Sequence, residues 1–400
     1  MNILVCSIDY KPKDGGIAEF MFHVCQYFSK KHNVTIVAPK IDGCEKFDSH
    51  NFSMKTYRLK NIRPLVWFSL KSIILNFFEF YKGIMEIIKM YENMLNIVEQ
   101  NNVEKIIVFQ WNLYGFMAYL INRKKKIPFY IVAHGLEIIK NKKRGFFLRN
   151  FFQRSVQKMV FSKSVGIFTN SAYTKNIVLE NVSKKLQVHV TYCGVDYNDF
   201  FPKEKKYDLI GNQYRDYKII FTLSRLVERK GIDNALCAFK KYMAVNPEKN
   251  VVYFIGGKGL DEKRLKKLVH TLELSNHVVF LGFIPDELKN EYYNLSDVFL
   301  MPCREEKDGD IEGFGIVYLE ANACGVPVIA GASGGIPCAV KDEVNGLLVN
   351  PLCKKDIFLK LQKILNNQKY AEFLGEKGRQ YGKKNFSWEK VTNRFFEIIE

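Results

Sequence analysis

The feature that most constrains this chain is an alternation, run through twice, of short apolar segments with longer amphipathic ones. "NILVCSI" from Asn2 reads as a strand, Gly15-Gly16 as a turn, and "IAEFMFHVCQYFSKK" as the helix that follows. "NVTIVAP", "KIIVFQ", "FYIVAHG" and "VGIFTNS" are further short apolar runs, each ending in a loop. Strands alternating with helical patterns point to α/β architecture with parallel sheets. Across "TYCGVDYNDFFPKEKKYDLIGNQYRDY" the apolar periodicity lapses into a polar stretch. It resumes with "KIIFTLSRL" and continues through "NVVYFIGGKG", "HVVFLGF", "VFLMPC", "VPVIAG" and "GLLVN". The expectation is two doubly wound domains facing a cleft, over 1–195 and 218–380, with a linker at 196–217. A chain of 400 residues is long enough for two cores. Ligands of such sheets sit outside the carboxyl ends of the strands, so the loops just quoted are where function is sought.

Composition narrows the classes. The apolar share of 47% and charged share of 26% are those of an ordinary soluble protein. "MNILVCSIDYKP" lacks a basic start followed by a long apolar run, so no cleavable signal is expected. Nine cysteines are scattered without a Cys-x-x-Cys, and Cys6, Cys25 and Cys324 lie in apolar segments. That usage suits free thiols and cytoplasmic surroundings. The run "PLVWFSLKSIILNFFEFYKGIMEIIKM" is interrupted by Lys71, Asn76, Glu79 and Lys82, too often for a membrane span. It reads as one or two amphipathic helices.

The net charge of +18 reads either as the mark of an anionic partner, whether nucleic acid, anionic lipid or a phosphorylated substrate, or as a general bias toward lysine. Basic residues concentrate between Ile138 and Val165: Lys140, Lys142, Lys143, Arg144, Arg149, Arg154, Lys158 and Lys163, with no acid among them. Phe146, Phe147, Phe151 and Phe152 are interleaved. This stretch, 138–165, reads either as a contact with an anionic bilayer surface or as a core helix with a solvated basic face. The first reading makes the protein peripheral at the inner face of the plasma membrane. No recognised module or regular basic stripe supports nucleic acid as a partner.

Several motifs carry chemistry. Gly15-Gly16, between a strand and a helix, lets backbone N–H groups approach an anion at a helix N-terminus. "GGKGLDEKRL" lacks the third glycine of a dinucleotide fingerprint and reads as a strand-end turn. In "SRLVERKG", Arg225 and Lys230 follow a strand, and two cations there can hold a diphosphate. "EGFGIVYLEANACG" reads as a loop that becomes a helix around Gly313–Val317. Glu312 then sits in the loop, the N–H groups of Gly315 and Ile316 are free, and Glu320 lies two turns along. That arrangement can grip a nucleotide sugar: N–H groups on phosphate, Glu320 on ribose hydroxyls, Glu312 on sugar hydroxyls. Asp308-Gly309-Asp310 has the form of a metal-binding Asp-x-Asp, but Arg225 and Lys230 already supply positive charge. On the family resemblance that these motifs carry, the acids from Glu305 to Asp310 are expected at a solvated or acceptor-facing edge of the cleft. Asn170 and Ser171 are expected to cap a helix.

On these residues the chain resembles the retaining GT-B glycosyltransferases of family four over nearly its whole length. The likeness is carried by Gly15-Gly16, "AHGLE", "TNSAYT", "YCGVDYNDFFP", "LSRLVERKGID", "VFLGFIPDELKNEYYNLSDVFLMP", "EGFGIVYLE", "ACGVPVIAGASGGIP" and "FSWEKV". Within that family it is most similar to the phosphatidylinositol and lipid mannosyltransferases.

The resemblance implies two Rossmann-like domains and a C-terminal helix, 381–400, crossing back to the first of them. It implies that His134, Glu312, Arg225 and Lys230 are catalytic, with His134 near the reacting centre. It implies a donor site of Gly15, Gly16, Arg225, Lys230, Phe283, Glu312, Gly313, Phe314, Gly315, Ile316 and Glu320. Arg225 and Lys230 would hold the pyrophosphate, and the backbone near Phe280–Phe283 would meet the base. No metal and no cofactor are expected beyond the nucleotide-sugar donor. The donor leans to GDP-mannose, with UDP-hexoses close behind, and the acceptor is a glycan or lipid-linked sugar. A nucleotide-sugar 2-epimerase is the rival within the fold.

Overall fold

The structure, a computed structural model, describes residues 1–13, 15–50, 54–60, 77–135, 137–138, 147–307 and 309–400. The chain divides into two compact units. The first is Met1–Thr191 with Arg394–Glu400, and the second is Tyr192–Asn393.

The first unit is built on strands β1 (Asn2–Ser7), β2 (Asn33–Pro39), β3 (Lys55–Leu59), β4 (Lys105–Phe109), β5 (Phe129–Ala133), β6 (Gly166–Thr169) and β7 (Val188–Val190). Their order in the sheet is β3-β2-β1-β4-β5-β6-β7, and all pairs are parallel. The inner strands are Val/Ile-rich and buried on both faces, as a sheet covered by helices on each side requires. The edge strands β3, "KTYRL", and β7, "VHV", are only partly buried. They lack the apolar run by which the other strands are recognised in sequence, and this is why they were not anticipated. Ser171 caps the helix Ala172–Asn181, its Oγ accepting from Thr174 N–H at 3.1 Å, and Asn170 Oδ1 accepts from Thr174 Oγ1 at 2.8 Å. The last helix, Trp388–Ile399, ends in this unit, where Phe395 stacks on Phe168 at 4.1 Å and Phe396 packs tilted against Phe28 at 4.5 Å.

The latter part of the amphipathic stretch lies in one helix, Phe77–Gln100. Its earlier part, 64–76, falls outside the described residues, as do Lys140, Lys142, Lys143, Arg144 and Phe146 of the basic stretch. Among the described residues no helix is long and apolar enough to cross a membrane.

The second unit holds β8 (Lys218–Leu223), β9 (Val251–Gly256), β10 (Val278–Gly282), β11 (Val298–Met301), β12 (Val328–Gly331) and β13 (Leu347–Val349), in the order β10-β9-β8-β11-β12-β13, again parallel. The 196–217 segment belongs to this unit and contains two short 3-10 turns, Tyr207–Leu209 and Asn212–Tyr214. Gly194 lies flat on Trp388, where a Cβ would come within 2.6 Å of the indole, and Val195 N–H donates to Phe386 O at 2.8 Å.

Candidate active site

The strand order of the second unit reverses between β8 and β11, and the loops after those two strands carry its charged centre. After β8 the chain makes a 3-10 turn, Glu228–Lys230, closed by Gly231 at φ 70°. A Cβ at Gly231 would lie 2.0 Å from the Pro302 carbonyl oxygen, so glycine lets this turn press against the end of β11. The turn sends Arg229 and Lys230 inward, and both end on Glu312 Oε2 at 2.5 Å. Their side chains are 7% and 10% exposed, and that of Glu312 is 16% exposed. Burial by itself would push the Glu312 carboxyl up. Lys230 and Arg229 beside it overrule burial and hold it at about 2. The Glu312 backbone is pinned as well, because its carbonyl accepts from Gly335 N–H at 2.9 Å.

From Glu312 the chain enters the helix Ile316–Ala323 through Gly315, whose φ of 90° favours glycine. First-turn N–H groups of a helix have no intrahelical partner and face whatever lies ahead of it. Phe314 is buried and stacks on Tyr192 at 5.8 Å, so it anchors the loop. Glu320 is 8% exposed and accepts from Tyr293 Oη at 2.6 Å, which satisfies part of a carboxylate set among apolar neighbours. Arg225 is exposed just beyond β8, and Phe283, 56% exposed, just beyond β10. Gly257 makes the expected strand-end turn after β9. A Cβ there would meet the Ser224 oxygen at 1.8 Å, which packs this turn on the one that carries Arg225.

The acidic loop departs from expectation. Glu306 Oε1 accepts the Arg229 backbone N–H at 2.7 Å, and Asp310 Oδ2 lies 3.4 Å from Arg229 Nε. Rather than lining a solvated edge throughout, the loop folds two of its acids onto Arg229. Asp310 and Glu312 give the buried guanidinium acceptors on two sides, while Glu306 holds the Arg229 backbone. Glu305 stays exposed, and Asp308 lies outside the described residues. Among the described residues no group of three or more His, Cys, Asp or Glu is placed to hold a metal ion.

The first unit reverses its strand order between β1 and β4 and gathers polar groups there. Gly15 caps the helix Gly16–Phe28 at φ 143° with open space around it, so backbone conformation rather than crowding calls for glycine. His134, directly after β5, stacks on Phe109 at 6.0 Å and meets Phe20 edge-on at 6.3 Å. Burial lowers its pKa to about 4 against the opposing pull of Asp9, so the imidazole is neutral at pH 7. Its backbone N–H donates to Glu137 Oε1 at 2.7 Å. Burial raises Glu137 to about 7, even though the N–H groups of His134, Glu137 and Gly135 favour its charged form.

The structure thus joins Lys230 to Glu312, sets Gly313 and Gly315 ahead of the Glu320 helix and Ile316 at its first position, and places Gly15, Gly16 and His134 in the first unit. Sequence reasoning missed Arg229, Asp9, Gln110 and Glu137. Arg229 is next to Lys230 in a quoted motif, but only the turn geometry decides which of "ERK" points inward.

Residues 14–199 match the family described as Glycosyltransferase Family 4, and residues 204–381 that described as Glycosyl transferases group 1. A GDP-mannose-dependent alpha-(1-6)-phosphatidylinositol monomannoside mannosyltransferase of Mycolicibacterium smegmatis is 26% identical, over 99% of this chain and 98% of its own. An uncharacterized glycosyltransferase of Methanocaldococcus jannaschii is 30% identical over 80% of this chain and 82% of its own. Among solved structures, Anabaena HepE in complex with UDP-glucose aligns with a TM-score of 0.76 at 18% identity, over 100% of this chain and 99% of that one. Two parallel Rossmann-like sheets and this neighbour give the fold as GT-B. The chain belongs to the family four, or group 1, glycosyltransferases.

Proposed function

We propose that this glycosyltransferase is a retaining, metal-independent hexosyltransferase that moves mannose from GDP-mannose to a lipid-linked or surface-glycan acceptor. The observation that carries the reading is the buried Lys230–Glu312–Arg229 centre directly ahead of a helix N-terminus. Cleaving the anomeric bond leaves an oxocarbenium-like sugar and a diphosphate of growing negative charge. Fixed cations and helix N–H groups aimed at that charge are the main catalytic contribution. In this reading Lys230 and Arg225 take the diphosphate, with the N–H groups of Gly16, Gly315 and Ile316. Glu312 takes the hexose hydroxyls, Glu320 the ribose, and the backbone beside Phe283 the base. Neutral His134 contacts the sugar at the reacting centre, and the departing phosphate accepts the acceptor's proton on the same face.

Mannose is supported by the M. smegmatis relative named above and by a GDP-mannose-dependent mannosyltransferase of Corynebacterium glutamicum, 36% identical over 46% of this chain. The UDP-glucose complex of HepE favours a UDP-hexose as the second reading. The basic stretch 138–165 would hold the enzyme at an anionic bilayer, where a lipid-linked acceptor resides. A thermal-shift screen against GDP-, UDP- and ADP-sugars, followed by product analysis with retained or inverted anomers resolved, tests the whole reading. GDP-mannose should raise the melting temperature most, and transfer should persist in EDTA. Abolition of transfer by EDTA would overturn metal independence, and isomerised donor formed without acceptor would replace the transferase by an epimerase.

A further inference from the structure

At the β1/β4 reversal of the first unit, two polar groups beside His134, namely Gln110 and Asp9, have no part in these roles. Gln110 follows β4 directly and takes φ 84°, a left-handed conformation that side chains other than glycine rarely adopt. Its backbone N–H donates to Val132 O at 2.9 Å, which ties it to the neighbouring strand. The side chain is 8% exposed. Its Nε2 donates to Asp9 Oδ2 at 3.0 Å, while Oε1 is buried without a partner among the described residues. Asp9 is itself held, because its N–H donates to Ser7 Oγ at 2.9 Å and Lys13 Nζ reaches its other carboxylate oxygen.

The register of the sheet brings His134 alongside. Phe109 pairs with Val132, so Gln110 and His134 emerge from adjacent strand ends, and the His134 ring stacks on Phe109. His134 Nε2 is also buried and without a partner among the described residues. One strand-end cluster therefore carries a strained backbone and, among the described residues, an orphan amide oxygen and an orphan ring nitrogen that a hydroxyl would satisfy.

The chemistry of these groups selects the ligand. The amide donors of Gln110 are turned toward Asp9, leaving an acceptor. An anion is unwelcome beside that oxygen and a carboxylate. A hydroxyl fits, because it donates to Gln110 Oε1 while taking either role with His134 Nε2. We propose that Gln110 and His134 form a hydroxyl-binding pair for a neutral sugar or cyclitol ring, with Asp9 the positioning residue that presents the Gln110 oxygen. The assignment deepens the transferase reading and rests on it. The hydroxyl belongs either to the donor hexose or to the acceptor.

Gln110→Gly removes the carboxamide and relieves the backbone, so the variant should melt no lower than the parent. Its melting temperature should still rise with GDP as in the parent, but the additional rise from GDP-mannose over GDP, or kcat/KM for transfer, should fall about tenfold or more. A fall already present in donor hydrolysis without acceptor assigns the hydroxyl to the hexose. A fall confined to transfer assigns it to the acceptor. Asp9→Asn should lower transfer in the parent and add nothing in the Gln110→Gly background, which a merely structural role would not produce. Undiminished transfer and sugar-dependent shift in Gln110→Gly would overturn the pair, as would a loss that merely tracks a lowered melting temperature. A parent enzyme that transfers no sugar sinks the functional reading, while the sugar-dependent part of the thermal shift still tests the pair.

Discussion

Glu312 is the residue on which opposing demands converge. Burial alone would push its carboxyl above the ordinary range, yet two cations share its Oε2 and keep it charged to about pH 2. Arg229 therefore frees Lys230 to face a diphosphate without stranding a buried charge. Removing one member of a buried pair costs about 3–5 kcal/mol, because the other is left uncompensated. Arg229→Gln should thus destabilise the second unit and let the Glu312 pKa climb, since burial is the largest single influence on it. The sign follows from the depressed value. The stabilisation from Glu312 is complete above its ordinary pKa near 4.5 and is lost as pH falls through about 2. In Arg229→Gln that loss begins at higher pH. Acid-unfolding curves and the acid limb of the kcat/KM profile should both move up, and curves that coincide with the parent would show that Lys230 suffices. Lys230 and Glu312 were legible in the sequence because their motif spacing survives in one dimension. Arg229, Gln110 and Asp9 were not, since a buried side chain is chosen by a turn or by sheet register, which the string of letters does not display.

At the scale of elements, the site depends on turns that press one strand-end loop against another. Gly231, in the turn that carries Arg229 and Lys230, combines φ 70° with a 2.0 Å approach to backbone rather than to a side chain that could swing away. Gly231→Ala must therefore shift either the Arg229–Lys230 turn or the end of β11. The cost should be about 3 kcal/mol, a melting temperature lower by about 6–12 °C, with nucleotide affinity lost alongside. Gly15→Ala provides the contrast, because nothing lies within 4 Å of the added carbon and only backbone strain is introduced. Its loss of stability should be smaller, and equal losses in the two variants would refute the steric account. The same scale explains which elements sequence periodicity found. Inner strands such as "KIIVF" and "VVYFIG" bury both faces and advertise themselves as apolar runs. The outermost strands of the first sheet, "KTYRL" and "VHV", are paired on one side and partly wet, so their letters resemble those of loops.

For the whole molecule, the two-fold run of α/β alternation was readable because each half repeats the same burial problem with its own sheet. What composition could not decide is the use of a net charge of +18. Among the described residues, Tyr81, Met85 and Ile88 are 55%, 46% and 43% exposed on the helix Phe77–Gln100, at spacings that put them on one face. Exposed apolar side chains with a basic stretch in the same unit suit a surface that is both charged and oily. The chain should then sediment with vesicles containing phosphatidylglycerol and not with phosphatidylcholine alone. Each Lys or Arg near an anionic surface contributes about 1 kcal/mol. Replacing Lys140, Lys142, Lys143 and Arg144 together by Gln should therefore weaken vesicle binding by about a thousandfold at low salt. Screening shortens to about 3 Å at 1 M salt, so any binding that persists there reports the apolar face. Tyr81→Ser with Met85→Ser should abolish that residue of binding while leaving transfer to a water-soluble acceptor intact. Vesicle binding that ignores both sets of substitutions would return the basic stretch to the alternative of a solvated helix face.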